Sequence, residues 1–338
     1  MTGKMLRLSL LLAALTSVVL AAPVRAADSV DVALGDVSIN KVPFLIAADA
    51  GLYARNGLVV HQFITPNAAA AARASGVTVP AENVSPDADK APIHIGGGSP
   101  MITGAVRRPD APHFVIVATN EEIVRDHVLA QPGIGSLADL KGKRIGYSGQ
   151  GTVTHYDSTM FARQMGWDPQ KDVTLVGDAA TVDALKSGKV DAILGSAMVA
   201  GMAVDSHFKD LGDLSGYKIP LAGSGIMVEQ AWLAGHRDVV ARFVKASVQA
   251  VALMKTDRKI FNAALVKWFA ITDPAVQARM FAAAQNFPAK PYPAVAGITQ
   301  AMKVYDSPAM RSHHAEEFYD SSFVAALDKS GVLDHPLN

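Results

Sequence analysis

Short apolar runs alternate with longer amphipathic segments through the first two thirds of the chain. Runs typical of β-strands lie at 30–34, 59–63, 93–95, 114–117, 144–147, 173–176 and 191–194. Segments with helical spacing lie between them, and the first, at 41–56, is followed by Gly57, a residue typical of helix ends. This alternation predicts an α/β fold with mainly parallel sheets, because parallel strands are joined by crossover helices.

The pattern changes after about residue 229. The segments 238–256, 259–270, 274–285 and 316–330 all have helical spacing, and no run among them indicates a strand. We therefore expect a helical C-terminal layer that packs back on the first sheet.

The stretch 66–92 is unusual because it is rich in alanine, proline and acidic residues. Its first part, 67–75, is predicted to be helical. The remainder is predicted to be an exposed loop, since proline and small polar residues dominate it.

The first 26 residues have the pattern of an export signal. Lys4 and Arg7 precede an apolar run of about 15 residues, and Val24-Arg25-Ala26 places small residues where a signal peptidase cleaves. The run is shorter than the roughly 20 residues that span a bilayer, although an uncleaved anchor remains the alternative. No later segment is long and apolar enough to span, so we expect a soluble, exported protein.

Composition excludes several classes of function. The absence of cysteine excludes disulfides, thiolate metal sites and cysteine nucleophiles. The 31 basic residues balance the 31 acidic residues without a basic block, which argues against nucleic acid as a partner. No histidine pair has metal-ligand spacing beside a carboxylate, and the Gly-x-Ser-x-Gly elbow of hydrolases is absent. We therefore predict no metal, no cofactor and no enzymatic activity.

Small polar residues follow three predicted strands, at the points where helices should begin. These junctions are 35–40, 96–100 and 149–154. A helix N-terminus carries unpaired N–H groups and a partial positive charge, so several converging ends can hold a polar or anionic ligand. Because strand ends of open α/β sheets border the ligand cleft, the junctions predict a binding protein rather than an enzyme.

Each junction also has a purely structural interpretation. Ser99 suits an N-cap and Pro100 the first helical position, so 96–100 is either a site or a tight turn. Thr154 with Asp157 three residues later resembles a capping box, which would leave Thr152 free to face the cleft. Simple capping is the alternative there.

Three segments resemble solute-binding proteins of ABC importers, in the group that serves sulfonates, taurine, nitrate and thiamine-precursor pyrimidines. Residues 43–58 resemble the opening helix of that family, and residues 137–146 resemble the segment with which its second domain begins. Residues 184–192 resemble a family motif that reads "aL.sGkvDA". The segments occur in family order, and the resemblance covers most of residues 28–300. The chain departs from the family at 66–92 and at the following strand, where Ile93-His94-Ile95-Gly96 replaces the usual Asp-containing sequence.

The resemblance implies the type II periplasmic binding protein fold, in which two α/β lobes close on a ligand. It places the signal peptide at 1–26, lobe one at 27–118 plus 226–338, and lobe two at 119–225. It also implies a periplasmic, soluble and monomeric protein that binds a small-molecule ligand and docks on an ABC permease in the inner membrane. The expected ligand is a small organic anion, a sulfonate or carboxylate. The alternatives are a neutral or apolar ligand, such as a pyrimidine or aromatic compound, and a role as ligand-sensing partner of a membrane receptor.

The candidate ligand-binding residues combine the junctions with the resemblance. Thr152, Val153 and Thr154 occupy the helix start at which family members hold an anionic group. The family's chain crosses between the lobes twice, and the resemblance places these crossings near 119–120 and 221–225. Glu121 and Glu122, which follow the first crossing, are expected to be exposed rather than catalytic. The full candidate set is Ser38, Asn40, Phe44, Gly98, Ser99, Asn120, Gly151, Thr152, Val153, Thr154, Ser196, Met198 and Ser224. Of these, Phe44 and Met198 serve equally well as core residues.

Overall fold

The computed structural model describes residues 26–337, so the expected export signal lies outside the described residues except for Ala26. The strands of the described chain are β1 (Asp28–Leu34), β2 (Leu58–Ile64), β3 (Ile93–Gly97), β4 (Phe114–Thr119), β5 (His127–Ala130), β6 (Arg144–Gly146), β7 (Thr174–Val176), β8 (Ala192–Gly195), β9 (Lys209–Asp213) and β10 (Ser224–Glu229). The helices are α1 (Val42–Asp49), α2 (Leu52–Arg55), α3 (Pro66–Ala74), α4 (Gly98–Arg107), α5 (Val153–Gln164), α6 (Val182–Lys186), α7 (Ala197–Asp205), α8 (Gln230–Thr256), α9 (Arg258–Phe269), α10 (Pro274–Ala284), α11 (Val295–Val304) and α12 (Ser322–Lys329).

The strands form two five-stranded sheets with related topologies. The first has the order β2-β1-β3-β10-β4 and the second the order β7-β6-β8-β5-β9. In each sheet one strand, β10 or β5, runs antiparallel to both of its neighbours, while the other four strands share a direction. The predicted α/β fold with mainly parallel sheets is confirmed. Each antiparallel strand, β5 or β10, directly follows a segment of chain that runs from one sheet to the other.

The first sheet is covered by the helical C-terminal layer that the sequence predicts. Along β1, Val30 and Val32 are buried whereas Ser29 and Asp31 are exposed, as expected for a strand with one face on a core. On that face Phe243 of α8 stacks between Phe44, at a centroid distance of 5.9 Å, and Tyr53, at 5.4 Å. Such aromatic stacking adds to the burial of the rings themselves.

The second sheet is smaller and has shorter strands. Strands β6 and β7 contain three residues each. Its core includes Phe161, whose ring meets Trp167 edge-on at 5.9 Å, together with Ile145 and Leu194. Hydrophobic residues of α4 and α11 belong to the same cluster, so this core also extends towards the first sheet.

Two extended segments connect the sheets and run side by side. The amide of Asn120 donates to the carbonyl of Ser224 at 2.8 Å, and the amide of Leu221 donates to Glu122 at 2.9 Å. Gly223 allows the two backbones to approach, because a Cβ there would lie 2.6 Å from the carbonyl oxygen of Glu121. This hydrogen-bonded pair of segments is a narrow connection about which two lobes can rotate.

The stretch 66–92 is more ordered than the sequence predicts. The predicted helix is present as α3, and the remainder is a partly exposed loop that contains two 3-10 turns, Ala81–Asn83 and Ala88–Lys90. Two of its alanines, Ala88 and Ala91, are buried against Ala33 of β1. Alanine therefore serves here as a close-packing residue.

Two further predictions needed correction. The predicted helix 41–56 is divided into α1 and α2 by Gly51, which adopts a φ of 67°. The predicted helix 316–330 is divided into a 3-10 turn, Ala315–Phe318, and α12. Within residues 26–337, no helix combines the length and apolar character that a bilayer crossing requires.

A candidate ligand-binding cleft between the two sheets

A cleft of about 1160 Å³ lies between the lobes. The loops that follow β1, β3 and β8 border it, so it occupies the position at which open α/β sheets bind ligands. The cleft is closed on one side by α4 and α5, and on the other by α7 and α10. On the second side Gly201 packs against Val276, and Arg279 lies 3.9 Å from Asp210.

One wall of the cleft is formed by the starts of α5 and α7, with Ser148 before α5. We call Ser148, Thr152, Thr154 and Ser196 the helix-start wall. The Oγ of Ser148 lies 2.7 Å from Oγ1 of Thr154 and 3.1 Å from Oγ1 of Thr152. These hydroxyls are thus fixed by one another, at the positive end of the helix dipole.

The predicted capping box at Thr154 is wrong. The N-cap of α5 is Thr152, whose Oγ1 accepts a hydrogen bond from the amide of His155 at 3.4 Å. Thr154 lies inside the helix, where its hydroxyl accepts from the amide of Ser148 at 2.9 Å. Asp157 is buried rather than part of an exposed capping motif.

The start of α4 also differs from the prediction. The helix begins at Gly98 with Gly97 as its N-cap, so Ser99 is inside the first turn and fully buried. A Cβ at Gly97 would lie 2.4 Å from Cγ2 of Val153, which places the starts of α4 and α5 against each other. Glycine is therefore required for this close approach of the two lobes.

The cleft also carries carboxyl groups from separate parts of the chain. We call Asp36, Glu121, Asp126 and Asp157 the carboxylate floor. The first three line the cleft, while Asp157 lies behind them with only 1% of its surface exposed. The carboxyl groups of Asp126 and Asp157 lie within hydrogen-bonding reach of each other, and one oxygen of Asp157, Oδ1, has no hydrogen-bond partner.

A fully buried lysine supports one part of this floor. Lys41 forms an ion pair with Asp36, and its Nζ also donates to Oγ of Ser224 at 2.9 Å. Glu121 accepts a hydrogen bond from Nδ2 of Asn40 at 3.1 Å through Oε2. Residues of both lobes and of the connecting segments are therefore joined at the floor.

Burial makes the floor carboxyls hold their protons more tightly than usual. Burial, with a further contribution from the charge of Asp126, raises the pKa of Glu121 from 4.5 to about 7. Burial also raises the pKa of Asp126 and, more strongly, that of Asp157. A hydrogen bond between the last two carboxyls requires that one of them carries a proton, in keeping with these directions.

The structure distributes the sequence candidates between the cleft and other places. The candidates that line the cleft are Ser38, Asn40, Thr152, Val153, Thr154, Ser196 and Ser224. Phe44 and Met198 belong instead to the large hydrophobic cluster around the first sheet, which Met198 joins from α7. Asn120 borders a separate cavity of about 150 Å³ on the far side of the connection.

Three glycine and serine candidates lie beneath the cleft surface. Gly98 and Ser99 donate their amides to the carbonyls of Gly223 and Ala222, so these two groups are already occupied by the returning segment. Gly151 adopts a φ of 83°, and a Cβ there would lie 2.6 Å from Oγ1 of Thr103. Its role is the turn that precedes α5.

Sequence reasoning did not identify the carboxylate floor. Glu122 is exposed as expected, but Glu121 is turned into the cleft and is only partly accessible. Within residues 26–337 no group of three His, Asp or Glu side chains is arranged to hold a metal ion. The floor therefore does not have the geometry of a metal centre.

Comparison with known proteins adds to this geometry. Residues 115–258 match the sequence profile of the NMT1/THI5-like family. The periplasmic nitrate-binding protein NrtA from Synechocystis PCC 6803 superposes with a TM-score of 0.70, at 11% identity, over 92% of this chain and 91% of that one. The alkanesulfonate-binding protein SsuA from Xanthomonas axonopodis pv. citri, bound to MOPS, gives a TM-score of 0.61 at 16% identity, over 82% and 91%.

The fold is that of a type II periplasmic binding protein. The resemblance predicted from the sequence is thereby confirmed. This periplasmic binding protein fold is also similar to that of the desulfurization enzyme DszB, with a TM-score of 0.50 at 14% identity over 90% of this chain and 99% of that one. No curated protein sequence gives a significant match to the chain.

Proposed function

We propose that this protein is the soluble periplasmic substrate-binding component of an ABC importer, and that it binds its ligand by closure of the two lobes. The observation that carries the proposal is the cleft of about 1160 Å³ at the strand ends, bordered by helix starts. The fold shared with the binding proteins NrtA and SsuA is in keeping with this role.

We place lobe one at 27–118 plus 226–338 and lobe two at 119–225. The two connecting segments support these limits, because each passes between the sheets once and they pair with each other. A ligand that contacts both lobes stabilises the closed state by its greater affinity for that state. The closed form would then dock on a permease in the inner membrane.

We propose that one end of the ligand is anionic or rich in hydrogen-bond acceptors and lies against the helix-start wall. The helix N-termini there favour negative charge. The cleft exceeds the roughly 300–1,000 Å³ typical of sites for drug-sized ligands, which supports an organic molecule over an ion as small as nitrate. Sulfonates and carboxylates of several carbon atoms satisfy both conditions.

The proposal is tested with the protein comprising residues 27–338 and a panel of sulfonates, carboxylates, pyrimidines and nitrate. Binding to the folded state alone raises the melting temperature, and calorimetry then gives the affinity of each hit. Small-angle scattering should show contraction with the same compounds. A panel without any melting shift or contraction would contradict the binding function.

Two N-cap threonines provide a matched pair of variants. Thr152 caps α5 and lines the cleft. Thr181 caps α6 by accepting a hydrogen bond from the amide of Ala184 at 3.2 Å, and its own side chain does not line the cleft. Thr152→Ala and Thr181→Ala should each lower the free energy of unfolding by about 1 kcal/mol. Only Thr152→Ala should weaken ligand binding. Equal affinities for the two variants would contradict the helix-start wall as the site.

A further inference from the structure

Side chains of lobe one reach across to the loop that precedes α5. Three successive carbonyl groups of that loop each have a donor from lobe one: Arg107 to Gln150 at 3.3 Å, Thr103 to Gly151 at 3.3 Å, and Tyr305 to Thr152 at 3.4 Å. The hydroxyl of Thr103 lies nearer to the carbonyl of Ser99, at 3.0 Å, and Arg107 is exposed. The contact of Tyr305 is therefore the most specific of the three.

Tyr305 follows α11 and lies beside the first turn of α5. Its hydroxyl is 3.2 Å from Nδ1 of His155 and 3.4 Å from the carbonyl oxygen of Thr152. The rings of Tyr305 and His155 are stacked, with centroids 5.6 Å apart and 26° between their planes. The His155 ring also meets Tyr147 of lobe two, at a centroid distance of 4.5 Å. His155 is thus in contact with an aromatic ring from each lobe.

The backbone and burial set the hydrogen-bonding roles of this pair. The amide of Gly151 donates to Nδ1 of His155 at 3.3 Å, so Nδ1 is an acceptor and carries no proton. Burial lowers the pKa of His155 and raises the pKa of Tyr305, so the imidazole is neutral and the phenol keeps its proton. That proton goes to His155 or to the carbonyl of Thr152, and both belong to the start of α5.

The groups held in this way are the ones that an anionic ligand would use. Val153 and Thr154, the first two residues of α5, line the cleft. Within residues 26–337 their amides donate to no other group, as expected for the first turn of a helix. The Thr152 hydroxyl is joined to the same turn through the amide of His155. The position of His155 therefore fixes the direction of the donors of the wall.

We propose that Tyr305 is a positioning residue for the helix-start wall, and that it acts through His155 only while the lobes are closed. The inference rests on the proposed function, because it concerns the same cleft. Opening would separate Tyr305 in lobe one from His155 in lobe two and leave the first turn of α5 without this support. The wall is then complete only in the closed state, so closure itself adds to the affinity for an anionic end.

Hydrogen exchange tests the positioning without any ligand. Tyr305→Phe keeps the ring and removes the hydroxyl, so the amides of 151–155 in the unliganded protein, residues 27–338, should exchange about fivefold faster. Tyr292→Phe is the matched control, since it removes a hydroxyl that donates to Asp328 at 2.9 Å in the same lobe, away from the cleft lining. This control should leave those amides unchanged. Equal exchange in the wild type and Tyr305→Phe would overturn the inference.

Binding kinetics separate positioning from a general loss of stability. Stopped-flow measurements with propane-1-sulfonate, benzenesulfonate and benzoate should show dissociation from Tyr305→Phe that is about fivefold faster than from the wild type. Association should change by less than about twofold, because the contact forms only after the lobes close. Tyr292→Phe should match the wild type in both rates. A loss of affinity that lies in association alone would contradict the inference.

Two further outcomes distinguish this inference from the proposed function. If only neutral compounds of the panel bind, the inference is overturned and the binding function stands. If no compound of any class binds, both are overturned. His155→Leu, which removes the acceptor, is the second test if Tyr305→Phe alters folding, and it should speed up exchange of the same amides.

Discussion

The helix-start wall and the carboxylate floor face the same cleft but are built in opposite ways. Three of the four hydroxyls of the wall are hydrogen-bonded to one another within seven residues of chain, from Ser148 to Thr154. The floor brings together Asp36, Glu121 and Asp157 from distant parts of the sequence. Two of its oxygens, Oδ1 of Asp36 and Oδ1 of Asp157, have no hydrogen-bond partner.

This contrast gives the two groups of side chains a different dependence on pH. The wall offers the N–H groups and dipole of a helix, which need no formal charge and change little with pH. The floor depends on ionised groups whose charge is set by their neighbours. Changes at the floor should therefore alter how stability depends on pH, whereas changes at the wall should leave that dependence unchanged.

The largest effect is expected at the ion pair beneath the floor. Asp36→Asn leaves the fully buried Lys41 without its nearest counter-charge, and we expect a loss of about 3 kcal/mol in the free energy of unfolding. Urea denaturation measures this loss. The double variant Asp36→Asn with Lys41→Met should recover most of it, because an apolar side chain replaces the buried charge.

A surface pair provides the control for that experiment. Asp87 and Lys90 form an ion pair that is largely exposed. Asp87→Asn should leave the stability unchanged within error. If Asp36→Asn behaved in the same way, the floor would not depend on charge balance.

A smaller effect is expected in the pH dependence of stability. Because Glu121 has a pKa of about 7 in the folded protein instead of 4.5, the folded state retains a proton that the unfolded chain releases. This group therefore makes the free energy of unfolding fall as the pH rises from about 4.5 to about 7, by about 1–2 kcal/mol for a partly accessible carboxyl.

Melting curves of Glu121→Gln between pH 4.5 and pH 8 check this expectation. The variant should lose less stability than the wild type as the pH rises, whereas Glu122→Gln should follow the wild type. Parallel curves for all three proteins would contradict the raised pKa of Glu121.

The smallest effect is expected at the contact between the lobes on the wall side. Gly97→Ala introduces a Cβ that would meet Val153 at 2.4 Å, so closure should be hindered and affinity reduced roughly fivefold, which corresponds to about 1 kcal/mol. Calorimetry with a hit from the panel measures this change. Adding Val153→Ala should restore affinity, and Gly133→Ala, where a Cβ has open space, should have no effect.

The sequence predicts most of the fold because the signals involved are local. The seven predicted strands are all present, since each is a short apolar run followed by a turn or helix signal. Strands β5, β9 and β10 were not predicted. Strand β9 is an edge strand with the partly exposed, charged sequence KDLGD, and β10 begins inside the returning segment, where the sequence suggests only a crossing.

The helix-start wall and the carboxylate floor differ in how far the sequence predicts them. The wall could be located from glycine and hydroxyl residues after a strand, although the exact cap was misplaced by two residues, from Thr152 to Thr154. The floor could not, because no local pattern relates Asp36 to Glu121 and Asp157. Their proximity results from the pairing of the connecting segments and from the packing of α5. Both depend on contacts between residues that are distant in the sequence.

The position of β10 has a consequence for how the chain folds. It lies between β3 and β4 in the first sheet, yet it follows β4 by more than a hundred residues. During synthesis the position between β3 and β4 cannot be filled until residue 229 has been made. By then all five strands of the second sheet, β5 to β9, have already been made. We therefore expect the inserted lobe to fold first and the surrounding one to follow slowly, because pairing across so long a separation carries a large loop-closure cost. Strand β10 also continues directly from the second connecting segment. The last strand pairing to form is therefore the one that fixes how the two lobes are placed relative to each other.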